Sequence, residues 1–170
     1  MLSLLLLRHA KSSWEDSSLA DFDRPLAPRG EEAALRMGAY MAAHDLVPDL
    51  ILCSTAQRAR QTLKLVLRHL GADLPTRFAD ALYLAAPVAL LACLGKAGAA
   101  QRVMVVGHNP GMHRLAATLA GKGDGKSLKA LGAKFPTAAL AVLTFEAQGW
   151  SKIARGGGRL TLFMTPKRLP

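Results

Sequence analysis

Leu4-Leu5-Leu6-Leu7, followed at once by Arg8-His9-Ala10, constrains this chain more than any other stretch. Four leucines without a polar break cannot alternate between a wet and a dry face. They predict a strand buried on both faces, as in a parallel sheet covered by helices. Arg8 and His9 then stand where that strand leaves the sheet. In open α/β sheets the carboxyl ends of the strands line the ligand crevice. A guanidinium beside an imidazole suits an anion, and an imidazole can also act as a nucleophile. Taken alone, the pair reads more simply as the start of a loop, and the remaining chain shifts that balance.

Two further apolar runs follow the same pattern. Leu50-Ile51-Leu52-Cys53 leads into Ser54-Thr55-Ala56-Gln57-Arg58-Ala59-Arg60-Gln61-Thr62. Val103-Met104-Val105-Val106 leads into Gly107-His108-Asn109-Pro110. Helical spacing appears from about Arg29 to His44, started by Pro28, and from Gln57 to Leu70, capped by Ser54 or Thr55 and closed by Gly71. Pro87 to Leu94 and Pro110 to Leu119 read as helices, the latter begun by Pro110. Arg77 to Ala81 is a weaker strand, Ala138 to Phe145 and Arg159 to Met164 are late strands, and another is expected around Trp150 to Ala154. Lys11 to Pro25 is polar and aperiodic, a long loop of the kind that usually carries function. Gly121 to Lys129 reads as a glycine-lysine loop. The alternation predicts an α/β fold, a three-layer sandwich with a mostly parallel central sheet flanked by helices.

With 170 residues, one domain spanning residues 1 to 170 is expected, large enough for a real core. A formal net charge of +10 points to an anionic partner, although the Lys and Arg are dispersed, which argues against nucleic acid. Cys53 and Cys93 form no C-x-x-C pair and read as buried thiols in a reducing compartment. Residues 2 to 7 are too short for a signal peptide and lack a preceding basic residue, and no run reaches membrane-spanning length. A cytoplasmic protein is expected.

If the three strands are parallel, their polar exits meet at one edge of the sheet. Arg58, in the first turn of its helix, adds a planar fork of donors to a positive dipole end. At this point the chain resembles the histidine phosphatase superfamily. Arg8-His9-Ala10 is similar to its Arg-His-Gly signature, Ser54 to Thr62 to its second motif and Gly107 to Pro110 to its third. Asp23-Arg24-Pro25-Leu26 with Arg29-Gly30, and the tail Arg159 to Pro166, resemble the SixA-type phosphohistidine phosphatases.

The resemblance implies a phosphoglycerate mutase-like fold and hydrolysis of phosphohistidine in proteins through a covalent intermediate. It makes His9 the nucleophile and gives the phosphoryl oxygens to Arg8, Arg58 and His108, with no metal or cofactor. A small-molecule phosphomonoesterase of the same superfamily is the alternative. The implied partner is a phosphorylated protein or small phosphorylated substrate, neither nucleic acid nor membrane, met by a monomer. Two departures matter. Ala10 stands where the signature has glycine. The larger relatives carry a Glu proton donor after the third strand, where this chain has only Asp80. Asp80, and Asp21 in the long loop, are therefore the candidate donors, with Glu15, Asp16 and Asp23 in reserve.

Other features have plainer readings. His44 and His69 close helices, where an imidazole meets the negative dipole end, and His113 is a minor candidate for the pocket. Ala120 to Ser127 nearly matches a phosphate-binding P-loop, but its first glycine is Ala120 and it follows a helical stretch instead of a strand. Nucleotide hydrolysis and a non-catalytic anion- or nucleic-acid-binding module are thus the weaker alternatives. Trp14, Trp150 and Phe163 read as core or rim.

Overall fold

A computed structural model describes residues 1–170. Seven strands form one sheet in the order β3-β2-β4-β1-β6-β7-β5. They are β1 (Leu2–Arg8), β2 (Leu50–Ser54), β3 (Thr76–Ala79), β4 (Arg102–Gly107), β5 (Ala120–Gly123), β6 (Leu140–Phe145) and β7 (Gly158–Met164). The β3-β2, β2-β4, β4-β1 and β7-β5 pairs are parallel, and β6 alone runs against its two neighbours. The five helices are α1 (Pro28–Ala43), α2 (Gln57–Leu70), α3 (Pro87–Leu94), α4 (Gly111–Leu119) and α5 (Gly125–Ala133). None is long and apolar enough to cross a membrane.

The leucine run lies in the middle of the sheet, and Leu4 to Leu7 are fully buried. Side chains alternate between faces along a strand. Leu5, Leu7, Ile51, Cys53, Met104 and Val106 accordingly pack against Met37 and Met41 of α1 and Leu63 and Val66 of α2. Leu4, Leu6, Leu50, Leu52, Val103 and Val105 pack on the other face, against Leu90 and Leu94 of α3, Met112 and Leu115 of α4 and Leu131 of α5. The neighbours β1 and β4 therefore send their following helices to opposite faces. Such a divergence opens a crevice beyond the carboxyl ends of the two strands.

Register brings the exits level. Arg8 pairs with Gly107 across β1 and β4, and Cys53 pairs with Val106 across β2 and β4, so Ser54 reaches the same height.

Several local expectations need correction. Residues 121–129 are not a loop: β5 pairs along the sheet edge with β7, and α5 follows, its start capped by Asp124, whose carboxylate accepts the Ser127 N–H at 2.9 Å. Leu128 and Leu131, spaced for one helix face, anchor α5 to the core, and the glycines and lysines around them hid that spacing. Trp150–Lys152 is a 3-10 turn, not a strand, and the Trp150 indole donates to Ala100 O at 2.7 Å. The α2 cap position is Ala56, with no side-chain cap, while Ser54 Oγ accepts the Ala56 N–H at 3.3 Å. Pro110 occupies the cap of α4, one residue before the helix. Cys53 is buried as expected, but Cys93 is only half-buried. Trp150 and Phe163 are in the core, whereas Trp14 is exposed beneath the Arg24 guanidinium.

Two glycines permit close approaches that position the crevice. A Cβ on Gly30 would fall 2.1 Å from Lys11 O, and one on Gly111 would fall 1.8 Å from Ala85 O. Gly111 thereby lets α4 lie against the segment that carries Tyr83. Gly111→Ala should destabilise the protein by about 1–3 kcal/mol, because a backbone must move. Gly132→Ala, in α5 with open space around it, should instead be neutral or stabilising by up to about 1 kcal/mol. Urea unfolding of both variants reads the difference, and equal stabilities would refute the tight contact.

Candidate active site

The three strand exits converge. His9, directly after β1, is 6% exposed, Arg58 in the first turn of α2 is 3% exposed, and His108 after β4 is 2% exposed. The ring centroids of His9 and His108 lie 5.1 Å apart. His9 Nδ1 sits 2.7 Å from Ala10 O. A carbonyl only accepts, so Nδ1 carries the proton and Nε2 keeps its lone pair. Arg58 Nε lies 3.4 Å from that Nε2. His108 Nε2 and Ser54 Oγ are 2.7 Å apart, which ties the third exit to the second. Arg8 Nη1 and Asn109 Nδ2 both donate to Phe135 O, at 3.0 and 2.9 Å. Arg8, His9, Arg58 and His108, four residues singled out from sequence, thus share one site.

Two further residues of the second motif act as braces. Thr62 Oγ1 accepts the Ala10 N–H at 2.9 Å and donates to Arg58 O at 2.7 Å, which links the residue after His9 to the helix turn that bears Arg58. Gln61 Oε1 accepts the Leu26 N–H at 2.7 Å and anchors the far end of the long loop.

That loop supplies Asp21, one of the two candidate proton donors named from the sequence. Arg58 Nη1 donates to Asp21 O at 2.6 Å and Nη2 to Asp21 Oδ2 at 3.0 Å. Arg24 holds Oδ1 of the same carboxylate at 2.9 Å, and the Tyr83 hydroxyl donates to Oδ2. Tyr83, which the sequence did not single out, meets the His108 ring edge-on at 5.4 Å and Phe22 at 5.0 Å. Asp80 is not in the pocket; it is exposed and accepts a hydrogen bond from Thr55 Oγ1. His113 is also outside, 2.6 Å from Leu131 O against Phe135. His44 contacts Tyr40 O at the end of α1, as its position suggested. No three His, Cys, Asp or Glu side chains come together in a metal-holding arrangement.

Burial dominates the electrostatics. It pushes His9 down to about 3, aided by His108, Arg58 and Arg8 and opposed by the Ala10 carbonyl. It pushes His108 down to about 4, with Arg58 adding to the shift and Asp21 opposing it. Both rings are neutral at neutral pH, which suits a nucleophile. The Tyr83 hydroxyl, then Arg24 and Arg58, hold the Asp21 carboxyl well below the usual carboxylate range. Arg8 Nε and His108 Nδ1 are buried without hydrogen-bond partners. A buried N–H left unpaired is costly. A tetrahedral oxyanion placed between His9 and His108 would supply acceptors to Arg8 and a charge to His108.

Comparison with known proteins agrees with this geometry. Residues 4–83 match the family model of the histidine phosphatase superfamily (branch 1). An uncharacterised protein of Mycobacterium tuberculosis is 40% identical over 164 residues, covering 95% of this chain and 100% of that protein. A solved, provisionally assigned phosphohistidine phosphatase SixA from Agrobacterium tumefaciens is 34% identical with a TM-score of 0.81, covering 97% of this chain and 98% of that one. A second SixA so assigned, from Nakamurella multipartitia, is 30% identical with a TM-score of 0.83 over 97% of this chain and 96% of that one.

The depressed His108 makes anion binding pH-dependent. A bound dianion favours the imidazolium, so binding takes up a proton wherever the loaded site is protonated and the protein by itself is not. Sulfate keeps its charge near neutrality, so its affinity should strengthen on acidification from about pH 8 to about pH 5, by as much as about tenfold per pH unit for one proton. Calorimetry in buffers of different ionisation enthalpy counts that proton. His108→Asn should flatten the dependence, and a wild-type affinity independent of pH would show that His108 stays neutral.

Proposed function

The chain belongs to the histidine phosphatase superfamily, and from that membership we propose that it hydrolyses phosphohistidine in proteins through a covalent phosphohistidine intermediate on His9. The observation that carries the choice of substrate is the state of Asp21. It is the carboxylate that reaches the site, and Tyr83, Arg24 and Arg58 hold it ionised. An ionised acid cannot protonate a leaving group. An alkoxide needs such help, typically worth roughly a hundred- to ten-thousand-fold. An imidazole ring, whose ordinary pKa of about 6.5 lies near neutrality, can instead take its proton from water and depart from phosphorus as a neutral ring. The two SixA proteins that share the fold at 34% and 30% identity support the same choice.

In this reading His9 Nε2 attacks phosphorus in line. One P–N bond forms as another breaks, and the protonated substrate ring leaves neutral. Arg8 and Arg58 neutralise charge on the equatorial oxygens, and His108 does so once it has taken up a proton on binding. The Nδ1–H contact with Ala10 O fixes the reactive tautomer and spreads the positive charge that develops on the phosphorylated ring. Water then attacks the phosphoenzyme and regenerates His9. Thr62 holds the Ala10 turn and the Arg58 turn at constant separation throughout.

Rapid quench with labelled phosphohistidine substrate should trap an acid-labile, base-stable phosphoenzyme. His9→Ala should abolish it while the protein stays folded; a label that survives that substitution would assign the nucleophile elsewhere.

Asp21 makes the substrate class testable. Its side chain is 43% exposed, so its ion pair with Arg58 is of the weaker, screened kind. Asp21→Asn should leave phosphohistidine turnover within about fivefold and tighten inhibition by sulfate about two- to fivefold, because a competitor for Arg58 is removed. Asp80→Asn should change neither. If the wild type instead prefers simple alkyl phosphates and Asp21→Asn selectively abolishes that activity, Asp21 is a general acid and the substrate is a small phosphomonoester.

A further inference from the structure

Beside the catalytic pocket runs a groove of about 510 Å³ bordered by Lys11, Arg29, Lys134 and Lys167, with Thr137 and Thr165 between them. The four cations come from four separate parts of the chain. Lys11 opens the long loop, Arg29 lies in the first turn of α1, Lys134 follows α5, and Lys167 sits in the 3-10 turn Pro166–Arg168 after β7. No carboxylate lines the groove. The two ion pairs in the structure both use Asp21, so none of these cations is neutralised within the chain. The first turn of α1 adds its own partial positive charge.

The segment that gives the groove Lys134, Pro136 and Thr137 also holds two residues of the candidate site. Phe135, next to Lys134, presents to Arg8 and Asn109 the carbonyl on which both are anchored. Lys11 is two residues beyond His9, and two residues span at most about 7 Å. Its backbone is fixed, since the Ala27 N–H donates to Lys11 O at 2.9 Å.

The character of the cations selects the occupant. In the catalytic pocket Arg58 and His108 are buried and converge on a small volume, as a single phosphoryl group requires. In the groove Arg29, Lys134 and Lys167 are exposed and Lys11 is half-buried, so their charges are solvated and spread out. That arrangement suits several separated anions on an extended chain better than one compact anion. No aromatic side chain lines the groove, which removes the stacking platform that single-stranded nucleic acid uses. Apart from Ala33 and two prolines the lining is polar or charged, so nothing would insert into a bilayer. We propose that this groove holds an acidic segment of the phosphorylated partner protein, adjacent in its chain to the phosphohistidine. The proposal rests on the reading of a protein substrate given above, and it assigns recognition beyond the phosphoryl group to Lys11, Arg29, Lys134 and Lys167.

Rim charges act mainly on encounter and are screened by salt. The test uses Arg29→Gln/Lys134→Gln/Lys167→Gln in one protein, which leaves Lys11 and the catalytic pocket intact. A fluorescent, unphosphorylated peptide of about twelve residues, half of them Glu, should bind the wild type at low salt. The triple variant should bind it about tenfold or more weakly. With a phosphohistidine peptide bearing acidic flanks, the variant should show a KM raised to a similar degree at unchanged kcat. Turnover of free phosphohistidine should stay within about twofold, which also shows that the variant is folded. Equal binding of the acidic peptide by both proteins would overturn the proposal. So would tighter wild-type binding, lost in the variant, of an oligonucleotide of equal charge or of anionic phospholipid vesicles. If the wild type turns over no phosphohistidine substrate yet binds the acidic peptide through these residues, the catalytic reading fails and with it the neighbouring phosphohistidine, while recognition of an acidic segment by the groove stands. If turnover is normal and the peptide arm fails, the groove assignment alone falls.

Discussion

The parallel pairing of β1 with β4, in the register that sets Arg8 opposite Gly107, is the constraint on which the rest of the site depends. Four consecutive leucines present the same apolar character to both faces of the sheet, so burial alone cannot choose among registers. The choice lies in what ends the runs. The His9 N–H donates to Gly107 O at 3.0 Å, and at the opposite end the Ser3 N–H donates to Gln101 O at 2.8 Å. A slip by one residue would exchange the Leu4 and Leu6 face with the Leu5 and Leu7 face. It would also carry His9 away from His108 and out of reach of Arg58. Glycine at 107 matters here because the Met112 sulfur already lies 3.2 Å from where its Cβ would be.

Much of this was legible before the structure. The three apolar runs, their polar exits and α2 from Gln57 to Leu70 follow from patterns with a direct physical cause, and the four central side chains lie on those exits. What was not legible has causes too. Asp21 and Tyr83 meet across 62 residues of sequence. Asp21 opens a three-residue 3-10 turn and Tyr83 follows another, both too short to show a period in the sequence, and only the fold brings the long loop over the turn that carries Tyr83. The residues after α4 were misread because glycine and lysine dominate them, although Asp124 three positions before Ser127 is a capping signal. Trp150 lies in a short turn held by one indole hydrogen bond, which no strand-like composition could announce.

The protonation of the site was the least legible property. Histidine has an intrinsic pKa that places either form within reach, so sequence cannot say which is present. Burial beside two arginines settles it toward neutral imidazoles. The same enclosure leaves Arg8 Nε without an acceptor from the protein, which suits the pocket to an oxyanion. Charge and desolvation thus act together: Arg58 already holds the Asp21 carboxylate, and the buried Nε of Arg8 is left for a further acceptor.

The hold of Arg58 on Asp21 also governs which anions can enter the site. A carboxylate on the protein's own chain meets Arg58 at a fixed local concentration, on the order of millimolar for a short flexible tether, whatever the surrounding solution contains. Any anion must outcompete that resident ligand to stay. An anion that holds Arg58 less well than Asp21 does is turned away. The loop from Lys11 to Pro25 in this way sets a threshold of affinity for admission.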